Sequence, residues 1–198
     1  MFDTYKTINT PTDGIYKEKG SKFLAFAIPV NTVDEVKEIV KNYRKEYYDA
    51  RHVCYAYMLG AERKNFRAND DGEPSGTAGK PILGQINSFE LTNILVIVVR
   101  YFGGILLGTG GLVVAYKEAT VDALKKAEII EKTVDTIISI NFDYVLMNEV
   151  MRVIKDTNVQ ILSQGYENNC NLKLSVRLKE VELLKSKFEK IVGLSIEN

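Results

Sequence analysis

Apolar residues along this chain keep two rhythms, and the changes between them mark the elements. Ile15 to Lys19 and Lys22 to Val30 are short β-rich runs around Gly20-Ser21, which predicts a hairpin. Thr32-Val33-Asp34-Glu35 carries the threonine and glutamate of a capping box. Behind it Val33, Val36, Ile39, Val40, Tyr43 and Tyr47 recur at helical spacing. His52 to Leu59 alternates, with Val53, Tyr55, Tyr57 and Leu59 on one side, so a strand is expected. Gly60 to Gly76 is polar and reads as a loop leading into a short helix near Thr77 to Ile86. The unbroken apolar run Ile94 to Val99 predicts a strand buried on both faces. Thr109 to Ala127 then reads as a helix with Leu112, Val113, Tyr116, Ala119, Thr120, Ala123 and Leu124 inward.

Past a charged break at Glu131-Lys132 the pattern restarts. Strands are expected at Val134–Asp143, Val159–Tyr166, Leu172–Leu178 and Leu194–Ile196, with helices at Leu146–Thr157 and Val181–Val192 and a turn at Asn168-Asn169. The expectation is an α+β chain. Residues 1–131 form a ββαβαβα domain and residues 132–198 a ferredoxin-like βαββαβ domain.

Nine of the 14 glycines lie between Gly72 and Gly111. All but Gly84 fall in two runs, Asp70-Asp71-Gly72-Glu73-Pro74-Ser75-Gly76-Thr77-Ala78-Gly79-Lys80-Pro81 and Arg100-Tyr101-Phe102-Gly103-Gly104-Ile105-Leu106-Leu107-Gly108-Thr109-Gly110-Gly111. Glycine in an element interior costs roughly 0.5–1 kcal/mol relative to alanine, so such density points to special backbone geometry or close approach. Gly108-Thr109-Gly110 and Thr77-Ala78-Gly79 both precede predicted helices. Free N–H groups and the helix dipole favour an anion there, with Arg100 and Lys117 to assist. The same glycines also suit helices that pack closely on a sheet. Neither run fits a nucleotide fingerprint: Pro74 and Pro81 stand where a P-loop needs glycine and a hydroxyl, and Val113 replaces the last glycine of GxGxxG.

His52 is the single histidine. With Ser75 and Asp70 or Asp71 it has the residue types of a hydrolase triad, though Ser75 lacks the G-x-S-x-G context. Cys54 is two positions along the same strand face, which allows a thiol–imidazole pair or simply a buried thiol. The carboxylates of Asp70, Asp71 and Glu73 could serve a hard cation, but their spacing is not that of an EF-hand, and neither metal nor cofactor is assigned. Arg51 and Arg100 lie beside aromatic residues, of which Tyr101 and Phe102 stand at a strand end where they could stack bases.

Charge narrows this little: 26 basic residues balance 26 acidic ones, so any affinity for polyanions must come from arrangement. Two distant cysteines without CxxC spacing argue against a disulfide framework or structural zinc. No signal-like start or membrane-length apolar run appears, so a cytoplasmic protein is expected.

The stretches Ala50–Tyr57, Asn69–Pro81, Val99–Gly104 and Leu107–Leu112 resemble the YigZ/IMPACT family, in family order and over roughly Asp13 to Ala127. The second half is similar to the bacterial members' C-terminal domain more loosely. The resemblance implies an N-terminal domain like the second domain of a small-subunit ribosomal protein, with a left-handed βαβ crossover. It also implies a C-terminal domain like the ferredoxin-like end of elongation factor G. Eukaryotic IMPACT regulates translation by competing with a kinase for a ribosome-associated activator. This chain starts almost directly with the shared region, so that partner is not carried over, and no catalytic residues come with the resemblance.

The expected function is a non-enzymatic, translation-associated protein that binds RNA or a ribonucleoprotein. Its ligand face would comprise Arg51, His52, Asp71, Glu73, Ser75, Thr77, Lys80, Arg100, Tyr101, Gly103, Gly104, Gly108, Thr109, Gly110 and Lys117. The alternative is an enzyme acting on a small phosphorylated or acidic metabolite through His52, Asp71, Glu73 and Ser75. An adaptor whose loops only pack its domains is the third possibility. No membrane partner is expected.

Overall fold

The computed structural model describes residues 3–157, 159–166 and 169–197. The chain is α+β and divides into two compact units, Thr4–Lys132 and the remainder from Thr133 together with Asp3.

In the first unit the apolar run forms β6 (Ile94–Tyr101), whose side chains are buried from Ile94 through Arg100. It lies at the centre of a five-stranded sheet ordered β2 (Thr12–Glu18), β3 (Ser21–Pro29), β6, β4 (His52–Leu59) and β5 (Asn65–Asn69). All neighbours are antiparallel, so β3 and β4 run parallel with β6 inserted between them. Because side chains alternate along a strand, β6 feeds two cores. Leu95, Ile97 and Val99 face α1 (Val33–Glu46), packing with Val36, Val40 and Tyr57. Ile94, Val96 and Val98 face the other side, against α2 (Gly79–Ser88) and α3 (Gly108–Lys126). Helix α1 starts as expected: Thr32 Oγ1 accepts from Glu35 N, and the Glu35 carboxylate reaches back to Asn31 N.

Three strands escape the hydrophobic pattern. The stretch expected to be loop from Gly60 to Gly76 contains β5, an exposed polar edge strand paired with Tyr55–Leu59. A separate two-stranded sheet joins β1 (Thr4–Ile8) to β7 (Ile129–Thr133). The unit therefore runs βββαββαβαβ rather than ββαβαβα. Helix α2 begins at Gly79, two residues later than expected, for a reason that lies in the candidate site.

The second unit follows the expected βαββαβ order. Strands β8 (Asp135–Phe142), β9 (Gln160–Tyr166), β10 (Cys170–Arg177) and β11 (Ser195–Glu197) form an antiparallel sheet ordered β11-β8-β10-β9. Helices α4 (Met147–Thr157) and α5 (Val181–Phe188) complete the split βαβ arrangement around Ile138, Ile140, Leu172, Leu174 and Phe188. Helix α5 stops four residues short of the expected Val192, and Asn168 of the expected turn lies outside the described residues. No helix among the described residues is long and apolar enough to cross a membrane.

Helix α3 lies so close to β2 that a Cβ at Gly14 would meet the backbone of Ala123 and Ala119. Gly84, inside α2, has no atom within 4 Å of the same position. We therefore expect Gly14→Ala to destabilise the first unit by about 1–3 kcal/mol through overpacking. Gly84→Ala should stabilise it by roughly 0.5–1 kcal/mol through helix propensity. Urea unfolding midpoints of the two variants check both signs.

Candidate functional site

The loop from Asp70 to Gly79 is organised by its first carboxylate. The N–H groups of Gly76, Ala78 and Gly79 donate to the Asp70 side chain at 2.8, 3.0 and 2.8 Å. Asp70 thereby caps α2 from eight or nine residues upstream, while the position before the helix is Ala78, which has no side-chain cap of its own. Thr77 closes the loop by donating its hydroxyl to the Pro74 carbonyl at 2.6 Å. Burial alone would raise the Asp70 pKa, but the three N–H groups and the nearby Lys80 charge outweigh it and hold the carboxyl below its ordinary value. The expectation that the helix start at Thr77-Ala78-Gly79 receives an external anion is corrected here, since the anion at this helix start belongs to the chain.

Glu73 and Arg100 form the centre of the site. Arg100 follows Val98 on the α2/α3 side of β6, and its Nη1 donates to Glu73 Oε1 at 2.7 Å with both side chains almost wholly buried. The Tyr116 hydroxyl, from α3, donates to the same oxygen at 2.8 Å. The Cys54 Sγ lies 3.3 Å from that hydroxyl and 3.0 Å from the Asp70 carbonyl, and its one hydrogen serves one of the two at a time. Burial pushes both Tyr116 and Cys54 far above their usual pKa values, with the Glu73 charge adding to each. Both stay protonated, so the thiol is a structural donor and the thiol–imidazole pair does not form.

His52 stands on the same face, at the start of β4 opposite Arg100. Its Nδ1 lies 2.8 Å from the Asp71 carbonyl, which can only accept, so Nδ1 carries the hydrogen. Its Nε2 then points toward Glu73 Oε2 at 3.8 Å. The Asp71 carboxylate faces elsewhere, accepting from Val53 N at 2.7 Å and pairing with Arg44 at 2.5 Å. The three acidic side chains thus diverge, and among the described residues no group of metal-ligating side chains converges.

Beside this network lies a cleft of about 350 Å³ that draws on both glycine-rich stretches. Arg51, His52, Glu73 and Arg100 supply its polar wall, and Phe102, Leu106, Leu107 and Leu112 its apolar one. The Phe102 ring lies 5.9 Å from the Arg51 guanidinium and 5.7 Å from that of Arg100. Gly108 and Thr109 bring the first turn of α3 to the cleft. That turn has no side-chain cap and no acidic residue, in contrast to the Asp70-capped α2. Arg100 Nε is buried without a protein partner.

Several expected site residues lie apart from the cleft. Ser75 is exposed and does not line it, and with Asp71 turned toward Arg44 no Ser–His–Asp arrangement exists. Tyr101, one residue beyond Arg100, emerges on the α1 face and donates its hydroxyl to Asp49 at 3.0 Å. Lys80 and Lys117 are exposed and outside the lining, as are Gly104 and Gly110. Gly103 is a packing position, since a Cβ there would strike the Gly20 backbone in the β2–β3 turn. Tyr116 and the leucines were missed as site residues, and Phe102 was named as a base-stacking candidate but not placed on the ligand face. The Tyr116 position carried only the signal of an inward helical residue, while Phe102 stood out as an aromatic at a strand end two residues after Arg100.

Taken together these features define a two-unit α+β protein whose first unit holds a buried Glu–Arg pair beside a cleft. Residues 19–124 match the model of the Impact N-terminal domain. An IMPACT family member of Haemophilus influenzae is 36% identical over 170 residues, covering 85% of this chain and 82% of that protein. The IMPACT family member YigZ of Escherichia coli is 35% identical over 159 residues, covering 79% and 78%. A crystal structure of a hypothetical protein, 30% identical, superposes with a TM-score of 0.77 over 99% of this chain and 97% of its own. The chain belongs to the IMPACT family.

Two measurements test the network. Because the folded Asp70 carboxyl titrates below the unfolded value of about 3.9, its charge stabilises the native state above that pH. That contribution is lost as pH falls through the folded value. Asp70→Asn should therefore cost about 1 kcal/mol at neutral pH. Its urea midpoint should also fall less steeply than that of the wild type when the pH is lowered below about 4. Arg100→Met should cost about 3–5 kcal/mol by leaving Glu73 charged and unpaired, and Glu73→Gln in the same chain should recover much of that loss. Equal destabilisation by the single and double changes would show that the pair is not coupled.

Proposed function

We propose that this protein is a non-enzymatic, translation-associated factor that binds RNA or a ribonucleoprotein by receiving a phosphate in the cleft. The observation that carries this reading is the uncapped first turn of α3, which reaches the cleft beside Arg51 and the buried Arg100. Glu73 and Arg100 offset one another, so Arg51 and the free N–H groups of α3 give the mouth a positive excess. Phe102, between the two guanidiniums, offers a ring face to a base next to that phosphate. The link to translation is supported by the family, through the role that the resemblance to eukaryotic IMPACT implies.

One observation favours the alternative of an enzyme acting on a small phosphorylated or acidic metabolite. His52 Nε2 and Glu73 Oε2 face each other in the cleft at 3.8 Å, the residue types of a proton-transfer pair. Against it, Ser75 lies outside the cleft and Cys54 is held as a protonated thiol.

Sedimentation of the pure protein with ribosomes, and its binding to structured ribosomal RNA across a salt series, tests the first reading. We expect binding that weakens steeply with salt and loses about one phosphate contact, a slope change near 0.7–0.9, in Arg51→Gln. Binding indifferent to salt and to Arg51 would remove the reading. Release of phosphate from small esters, abolished in Glu73→Gln, would favour the alternative.

A further inference from the structure

The opposite face of the same sheet carries a second feature. Helix α1 and the edge of the sheet enclose a groove of about 430 Å³. One wall is a helical stripe of Lys37, Lys41, Arg44 and Lys45, and Arg67 stands on the other wall from the edge strand β5. Valines of α1 and the rings of Tyr55 and Tyr57 make the floor. None of the described residues lining the groove is acidic, although the whole chain is electrically neutral. The four acidic residues of α1 lie outside the lining, and one of them, Glu35, is used to hold the backbone before the helix.

Within the stripe the cations are unequally engaged. Arg44 pairs with Asp71, and Lys37 makes an exposed bridge to Asp34, a kind of contact worth little. Lys41, Lys45 and Arg67 have no ion pair among the described residues. Lysines four apart on a helix rise by about 6 Å, so Lys37, Lys41 and Lys45 form a row of roughly 12 Å. A single strand laid extended along such a row spaces its phosphates more widely than a duplex does, so the row can meet them about one per lysine. A concave floor with a half-buried Tyr55 ring suits a single strand, whose bases can turn inward onto an aromatic. A flat anionic surface would not reach Arg67 or the tyrosines.

We propose that this groove is a binding site for single-stranded RNA, gripping its phosphate backbone with Lys37, Lys41, Lys45 and Arg67. The site is separate from the cleft and does not rest on the function proposed for it. Specificity for sequence is not built in, because the contacts are charge and ring faces rather than base edges.

The test is fluorescence anisotropy of a labelled oligouridylate with the full chain between 50 and 200 mM salt. Four phosphate contacts to a single strand give a log–log slope of about −3. Lys41→Gln with Lys45→Gln lies on an exposed helix face and should leave the circular dichroism and urea midpoint unchanged. It should lower the slope magnitude by about 1.4 and weaken binding on the order of 20-fold at 0.1 M salt. Lys173→Gln, at an exposed position of the second unit, should leave oligouridylate binding as it is, which separates the groove from charge spread over the chain. No binding by the wild type would overturn the proposal. So would equal binding by the double variant, an equal loss in Lys173→Gln, or tighter binding of polyglutamate or phosphatidylserine vesicles than of RNA.

Discussion

The ion pair between Arg100 and Glu73 is the constraint around which the first unit is arranged. An arginine at the end of the most buried strand cannot lose its charge, and leaving it unpaired would cost several kcal/mol. The carboxylate comes from a loop 27 residues earlier, so the loop must fold back onto the sheet. Tyr116 donates to the same carboxylate, which fixes a point of α3 against the strand end. Phe23 and Phe102 lie within 6 Å of the guanidinium, so β3 and the segment after β6 are drawn to the same spot. Four separate parts of the chain thus meet at one buried charge.

Two helices begin near this point, and they treat their free N–H groups in opposite ways. Helix α2 receives Asp70, a carboxylate from its own loop, and its start is electrically complete. Helix α3 begins with glycines, has no cap from a side chain, and opens on a cleft with Arg51. Of the two, only α3 presents an uncapped start to the cleft. It also accounts for the glycine density: some glycines bring backbones together, as Gly103 does with Gly20, while others leave the start of α3 uncovered.

Most of the architecture was legible wherever burial produced periodicity. The continuous run of β6, the amphipathic α1 and the alternating strands of the second unit each carried an unambiguous rhythm. Strands β1, β5 and β7 did not, because edge strands with one face or both in water have no apolar repeat to betray them. In the site, composition alone pointed to Glu73, His52, Arg51 and Arg100, which do line one cleft. Strand alternation already separates Tyr101 from Arg100, and applying it would have removed the tyrosine from the face. The role of Asp70 was hidden for a different reason: a cap supplied from eight or nine residues upstream depends on a loop's path, which no local pattern encodes.

Asp71 occupies a boundary between the two faces of the sheet. Its carboxylate grips Arg44 on the α1 side, while its carbonyl orients the imidazole on the cleft side. The carboxylate and the carbonyl belong to one residue, so the hold on that guanidinium and the restraint on the ring share one support. One loop residue thus serves as a shared anchor for a helix and an imidazole on opposite sides of the sheet.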